Sequence, residues 1–320
     1  MYTLLSIENP LPAQFPTFYR DGFLFLQPRH LLQQPCRPLQ YFALINAKTG
    51  LADARCAVFR RDGWVVSPCA ASFGSIEFSE EVPDEALDRL IDALVTYSKK
   101  LLLPDKKLPD HGIRLVNYPD FYLPNQARRL RKRFLAKGFV VAYEELNQHV
   151  PVTSGPFIDQ LHAAERRRLR KCQQAGFTTS IWENPDSDEL IAFIQKARIR
   201  KRLPITIQSK DLASLLANFS DFCPVFAVRN NHQLIAVCLG IRITADILYY
   251  FLPADHEDYQ PFSPSVLLIE ALYKHCQQHG ISLLDLGIST SKGVRNEGLI
   301  RFKRQLGALE TPKFVYEMRF

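Results

Sequence analysis

A chain of 320 residues is long for one hydrophobic core and comfortable for two domains of ordinary size. Its composition, 47% hydrophobic and 23% charged, is that of a soluble globular protein, and no apolar run approaches the length needed to cross a bilayer. The formal net charge of +7 favours polyanionic partners without identifying one.

The chain meets Glu8, Pro10 and Pro12 before any signal-like core forms, so a cytoplasmic location is expected. The first forty residues are rich in Pro and aromatics, with Phe23 to Leu26 as the one convincing strand. From Tyr41 the order becomes regular. Strands are predicted at Tyr41–Ile45, Ala54–Arg60 and Trp64–Ser67, with an Asp62-Gly63 turn between the second and third. After a loop over 68–82, Leu87, Leu90, Ile91, Leu94 and Val95 follow the helical template behind Asp84 as cap. A strand at Ile113–Val116 comes next, then a very basic helix from about Asn125 to Lys137 stopped by Gly138. A strand at Phe139–Tyr143 closes this half.

A linking stretch near Val150–Gly155 leads to three helices: Phe157–Ala175, Asp186–Arg202 with a D-x-x-E cap, and Ser209–Phe219. Strands follow at Pro224–Arg229, Leu234–Ile243 and Ile247–Leu252, the first pair joined by Asn230-Asn231, a hairpin signal. A helix over 264–279 has Ser263 as cap, Pro264 in its first turn and Gly280 as terminator. The run Ile281–Leu286 reads as an interior strand delivering one carboxylate, Asp285, to its carboxyl end before Gly287. Asn296 caps a helix on which Leu299, Phe302 and Leu306 share a face with Lys303, and a strand at Lys313–Met318 ends the pattern. Both halves thus share one order: three antiparallel strands, helix, strand, helix, strand. That repetition points to duplication.

The seven cysteines, Cys36, Cys56, Cys69, Cys172, Cys223, Cys238 and Cys276, show no C-x-x-C spacing. They read as reduced core residues, without a disulfide or zinc framework. His275 and His279 are one helical turn apart but lack an acidic third ligand, so no metal is expected. Basic residues bunch at Arg128–Arg133, Arg166–Lys171 and Arg198–Arg202, and again at Arg301, Lys303 and Arg304. Each cluster taken alone reads as a solvated helix face; four of one sign raise the case for an anion site.

The string Asp285-Leu286-Gly287, followed by N-E-G-L-I-R-F-K-R-Q-L-G-A over 296–308, resembles the closing motif of the FemAB-like acyltransferases, tandem proteins of the Gcn5-related N-acetyltransferase superfamily. A weaker match is A-E-R-R-R-L-R-K-C-Q-Q-A-G over 164–176. The resemblance covers the second half by motif and the first by architecture. It implies an α/β fold with mixed sheets in two tandem domains, 1–152 and 153–320, the first degenerate and the second holding a donor cleft. It also implies acyl or aminoacyl transfer onto an amine acceptor, with an aminoacyl-tRNA or acyl-CoA donor and no tightly bound cofactor. The acceptor would be a small molecule or a cell-wall precursor, and tRNA a partner of the basic helices.

In that superfamily the strand resembled by Ile247–Leu252 splays from the one at Ile281, opening a V for the acyl donor beside a helix N-terminus that offers amides to a pyrophosphate. Here the corresponding loop, Gln260 to Ser265, carries two prolines and puts Ser263 and Ser265 at the small positions, so it departs from an ordinary coenzyme A loop. The resemblance makes Gln260, Ser263, Ser265, Phe302 and Asn296 donor-contacting residues and Lys303, Tyr249, Tyr250 and Asp285 catalytic. Lys303 would neutralise donor phosphate or charge developing at the acyl carbon. Tyr249 and Tyr250 alternate faces, so one looks into the V and could help move a proton. Asp285 could serve as base, hold a cationic substrate, or bond the amides of the turn at Gly287. The alternative function is a non-enzymatic anion- or nucleic-acid-binding module on the same duplicated fold.

Overall fold

The computed structural model describes residues 1–102, 111–202 and 207–320. In chain order these form β1 (Tyr2–Glu8), α1 (Pro28–Leu31), β2 (Gln40–Asn46), β3 (Ala52–Arg61), β4 (Trp64–Ser67), β5 (Glu77–Phe78), α2 (Asp84–Leu102), β6 (Gly112–Val116), α3 (Pro124–Ala136) and β7 (Val140–Pro151). The chain continues with α4 (Ala163–Gln174), β8 (Thr178–Ile181), α5 (Ser187–Arg200), α6 (Ser209–Asn218), β9 (Val225–Asn230), β10 (Gln233–Thr244), β11 (Ile247–Asp255) and α7 (Pro264–Gln278). It closes with β12 (Leu283–Ile288), β13 (Thr290–Ser291), β14 (Val294–Arg295), α8 (Glu297–Gln305) and β15 (Leu309–Arg319). Two compact units partition it: Met1–Leu146 with Thr311–Phe320, and Asn147–Glu310.

In the first unit β1, β2, β3 and β4 pair antiparallel in sequence order, β4 pairs parallel with β6, and β6 pairs antiparallel with β15. Helices α2 and α3 supply Leu87, Leu90, Ile91, Leu94, Leu130 and Phe134 to its core. They are also laced by three ion pairs at one spacing: Asp84 with Arg129, Asp88 with Arg133, and Asp92 with Lys137. Arg131 pairs with Asp120. Within the basic cluster at Arg128–Arg133, Arg129, Arg131 and Arg133 are thus paired with carboxylates of their own unit, while Arg128 and Lys132 are exposed.

The fork between β4 and β6 is filled by the chain itself. Their pairing ends at Ser67–Leu115, where the Gly74 N–H donates to Val116 O at 2.9 Å and the Ser75 N–H to Ser67 Oγ at 2.9 Å. A Cβ on Gly74 would lie 2.6 Å from Ser67 Oγ, so only glycine permits this closure.

In the second unit the sheet order is β7, β12, β11, β10, β9, β8, with β12 parallel to β11 and the other pairs antiparallel. Leu248, Tyr250, Leu284 and Leu286 point to one face and pack with Val266, Leu268 and Leu272 of α7. Successive strand residues alternate, so Tyr249 and Asp285 face the other way. The hairpin turns at Asp62-Gly63 and Asn231, and the stops at Gly138, Gly176 and Gly280, all take the left-handed conformation.

Four expectations are corrected. Phe23 to Leu26 is not a strand: Leu24–Leu26 is a buried helical turn, and four apolar residues carry no period that separates the two. The helix expected over 157–175 is interrupted, a short turn at Phe157–Gln160 ending in an extended Leu161 before α4. Strands β1 and β8 went unpredicted, and β7 runs on to Pro151. Cys36 and Cys69 form a disulfide between residues 33 apart, a proximity made by tertiary folding that no local spacing announces; the other five cysteines are buried thiols.

Candidate active site

Everything placed at the end of β12 turns on Gly287. Parallel pairing of β11 with β12 runs from Ile247–Leu283 through Leu248–Leu284 to Tyr249–Asp285 and stops there, although both strands continue. On its other side β12 pairs with β7, Asp285 opposite His149 and Ile288 opposite Asn147, with a bulge between them. Gly287 sits in that bulge at φ +77°. Its N–H donates to Asp285 Oδ1 at 2.7 Å, and Asn147 Nδ2 donates to the same oxygen at 2.6 Å. Fastening the turn amide, one of the roles open to Asp285 in the sequence, is realised in this geometry.

Lys303 closes the arrangement from α8. Asn296 caps that helix by accepting the Leu299 N–H at 3.0 Å, and the resulting turn drives Lys303 inward until it is 4% exposed. Its Nζ donates to Gly287 O at 2.8 Å and Ile288 O at 3.0 Å. Burial lowers its pKa to about 7, opposed in part by the Asp285 carboxylate. Behind the bulge, Gln148 Nε2 donates to Ile300 O at 3.2 Å and its Oε1 accepts from Ser289 Oγ at 2.6 Å, tying β7 to α8 and to the residue that follows β12.

The predicted residues separate into groups. Tyr249, Asp285 and Lys303 come together around Gly287; a Cβ there would lie 3.1 Å from the Tyr249 ring. Tyr250 is turned into the core against α7, where it hydrogen-bonds Ser265 and burial raises its pKa well above the usual tyrosine value. The core thus takes Tyr250, and the face away from α7 takes Tyr249. Gln260 and Ser263 lie in the loop ahead of α7. Ser263 holds the cap position in a left-handed backbone (φ 59°), and its side chain makes no capping bond, contrary to expectation. The left-handed backbone at Ser263 departs from the extended geometry that a capping residue adopts, although Pro264 suits the first helical position. Phe302 packs on the core, and the Asn296 side chain is occupied in capping.

Three residues near this face escaped sequence reading, and a fourth, Arg198, was legible only as part of a basic cluster. Asn147, Gln148 and His149 lie on β7, where burial pushes the His149 pKa down to about 4. Arg198 of α5 interacts electrostatically with Tyr249 and shares a small pocket with Ile191, Ile194, Ile207, Leu212 and Leu252. Leu252 is left-handed (φ 49°) at a break in the β10–β11 register. On α4, Lys171 Nζ donates to Pro261 O at 3.0 Å, anchoring the loop ahead of α7, while Arg167 and Arg170 face solvent.

Gly287→Ala should test how tightly the bulge is made. A side chain is strained at this φ and would press on Tyr249, so unfolding free energy should fall by about 1–3 kcal/mol. Urea unfolding reads it; a loss of under about 0.5 kcal/mol would show that the bulge relaxes freely.

Residues 162–304 match the family model described as "Acetyltransferase (GNAT) domain". Among solved structures, FemX covers 92% of its own chain and 93% of this one at 12% identity and a TM-score of 0.65. The C-terminal domain of a candidate lysylphosphatidylglycerol synthetase from Agrobacterium fabrum covers 83% of this chain and 81% of its own at 14% identity, TM-score 0.57. A tandem GNAT protein from the clavulanic acid biosynthesis pathway covers 88% and 82% at 10% identity, TM-score 0.51. No curated protein matches by sequence. Among the described residues no helix is long and apolar enough to cross a membrane. Residues 162–304 thus match an acetyltransferase (GNAT) domain, and the chain as a whole has a fold like those of FemX and a tandem GNAT protein.

Proposed function

We propose that the second unit transfers an activated acyl group, an aminoacyl group included, onto a primary amine. The observation that carries this reading is the fork where β11 leaves β12 at Tyr249–Asp285, with Lys303 driven into its base within a GNAT domain. The amine nitrogen attacks the acyl carbon of an ester or thioester, and catalysis lies in holding the two together and meeting the developing charge. Tyr249 faces the acceptor, Asp285 is a positioning residue for the bulge, and Lys303 serves the reacting oxygen and nitrogen. The loop from Gln260 to Ser265, with Phe302 and Asn296 on α8, makes the donor side.

The donor is a polyanion of the aminoacyl-tRNA kind in preference to acyl-CoA. Two prolines remove amides from the loop ahead of α7, whereas Arg167 and Arg170 stand exposed on the helix that braces it. The acceptor is a small molecule or a cell-wall precursor bearing a free amine. Donor binding belongs to the second unit alone, because the corresponding fork of the first is occupied by Gly74 and Ser75.

The test is transfer of labelled acyl groups from a panel of acyl-CoAs and charged tRNAs to amines, among them a nucleotide-linked cell-wall precursor. Saturable transfer from one donor is expected. Absence of transfer, together with salt-steep binding of every polyanion that ignores Lys303→Met, would replace this reading with a binding module.

A further inference from the structure

Lys303 was expected to act as a fixed cation, but its surroundings suit an uncharged amine better. It is 4% exposed, its two partners are neutral backbone carbonyls, and among the described residues it forms no ion pair. The carboxylate nearest in charge terms is Asp285, whose Oδ1 already accepts from Asn147 and Gly287. A buried ammonium needs three acceptors and a counter-charge; a neutral amine needs two acceptors and leaves a lone pair. Two carbonyls at 2.8 and 3.0 Å supply what the neutral form requires and orient the remaining position of Nζ.

We propose that Lys303 is a proton relay that acts from its uncharged form, and this proposal rests on the acyl-transfer reading above. As the acceptor nitrogen bonds to the acyl carbon, its surplus proton passes to the Nζ lone pair. As the acyl carbon–oxygen or carbon–sulfur bond breaks, the same nitrogen gives a proton to the departing oxygen or sulfur. Lys303 ends neutral, and one proton has moved from amine to leaving group. Of the titratable and charged groups, Asp285 on β12 acts on it directly, Tyr249 on β11 stands beside Gly287, His149 on β7 pairs opposite Asp285, and Glu297, Arg301 and Arg304 are exposed along α8 itself. Desolvation at this depth works in the direction the relay needs, holding the amine's pKa down to about 7.

The test is an NMR titration of the full chain carrying isotopically labelled lysine, followed at Cε and Nζ from about pH 5.5 to 11. One lysine should titrate roughly 3 pH units below the others, and its resonance should vanish in Lys303→Arg. This measurement on the unsubstituted protein does not depend on any variant folding. With a donor that supports transfer, the rate should climb with pH through the same midpoint. Lys303→Arg, which keeps the charge but cannot release a proton, should lose about 100-fold or more. Titration with the bulk of the lysines, or transfer sustained by Lys303→Arg, would overturn the relay and leave a fixed cation within an intact acyl-transfer reading. Failure of the unsubstituted protein to transfer from any donor would overturn that reading itself, and the relay with it.

Discussion

Glu77→Ala should lower the free energy of unfolding by about 3–5 kcal/mol, the range for removing one partner of a buried ion pair. Glu77 is fully buried on β5 and carries three obligations: it accepts Arg55 Nη2 at 2.7 Å and Nε at 2.9 Å, the Phe23 N–H at 3.0 Å, and Arg20 Nη2 at 3.4 Å. Arg55 on β3 is 3% exposed and lies over the Phe18 ring, with its guanidinium carbon 4.0 Å from the centroid. The pair therefore holds the irregular segment between β1 and β2 against the first unit's sheet. Gly22 is part of the same construction, since a Cβ there would fall 2.3 Å from Arg55 Nη2. With total stabilities typically about 5–15 kcal/mol, losing the carboxylate removes a large share, because Arg55 is left charged and unmatched. The double variant Arg55→Met/Glu77→Leu should recover much of the loss, as apolar replacements of both partners do. Urea unfolding of the three proteins decides: a single-variant loss below about 1 kcal/mol would show that solvent reaches Arg55.

No local pattern announced that pair, and the contrast with what was readable is physical. Residues whose role is settled within one turn of chain could be read directly: Asn296 and Asp186 as helix caps, Gly138 and Gly280 as helix stops, and the Asp62-Gly63 and Asn231 turns. Asp285, Gly287 and Lys303 were readable through a motif, and they do converge. The pairing of Asp84, Asp88 and Asp92 with Arg129, Arg133 and Lys137 was not read from the sequence, because only packing sets one helix face against the other. Strand β7 was legible only to Tyr143 for a related reason. Asn147, Gln148 and His149 are buried polar residues with neither alternation nor an apolar run, polar because two of them bond β12 and α8. Tyr249 and Tyr250 were known to face opposite ways; the side each takes followed from the core laid down by α7.

Lys303→Met should change the pH dependence of stability as well as the rate of transfer. The folded-state pKa of about 7 lies below the ordinary lysine value of 10.5, so between them the unfolded chain binds more protons than the folded one. Stability of the unsubstituted protein therefore rises with pH across that window, by on the order of 1 kcal/mol per pH unit from this group. Below about pH 7 the penalty for burying the cation is present in full, and above about 10.5 it is gone. Methionine fills much of the same volume and does not titrate, but it leaves Gly287 O and Ile288 O without a donor, a loss that does not vary with pH. The gap between the two proteins should accordingly shift in favour of Lys303 as pH climbs from 7 to 10, read from urea unfolding at several pH values. Transfer above the Lys303 midpoint should fall by about 100-fold or more, with the gap narrowing below it as Lys303 itself becomes protonated. Parallel stability curves would mean that Lys303 keeps its charge when folded; the same loss of transfer would then belong to a fixed cation at the oxyanion, and the proton would have to leave through Tyr249 or solvent.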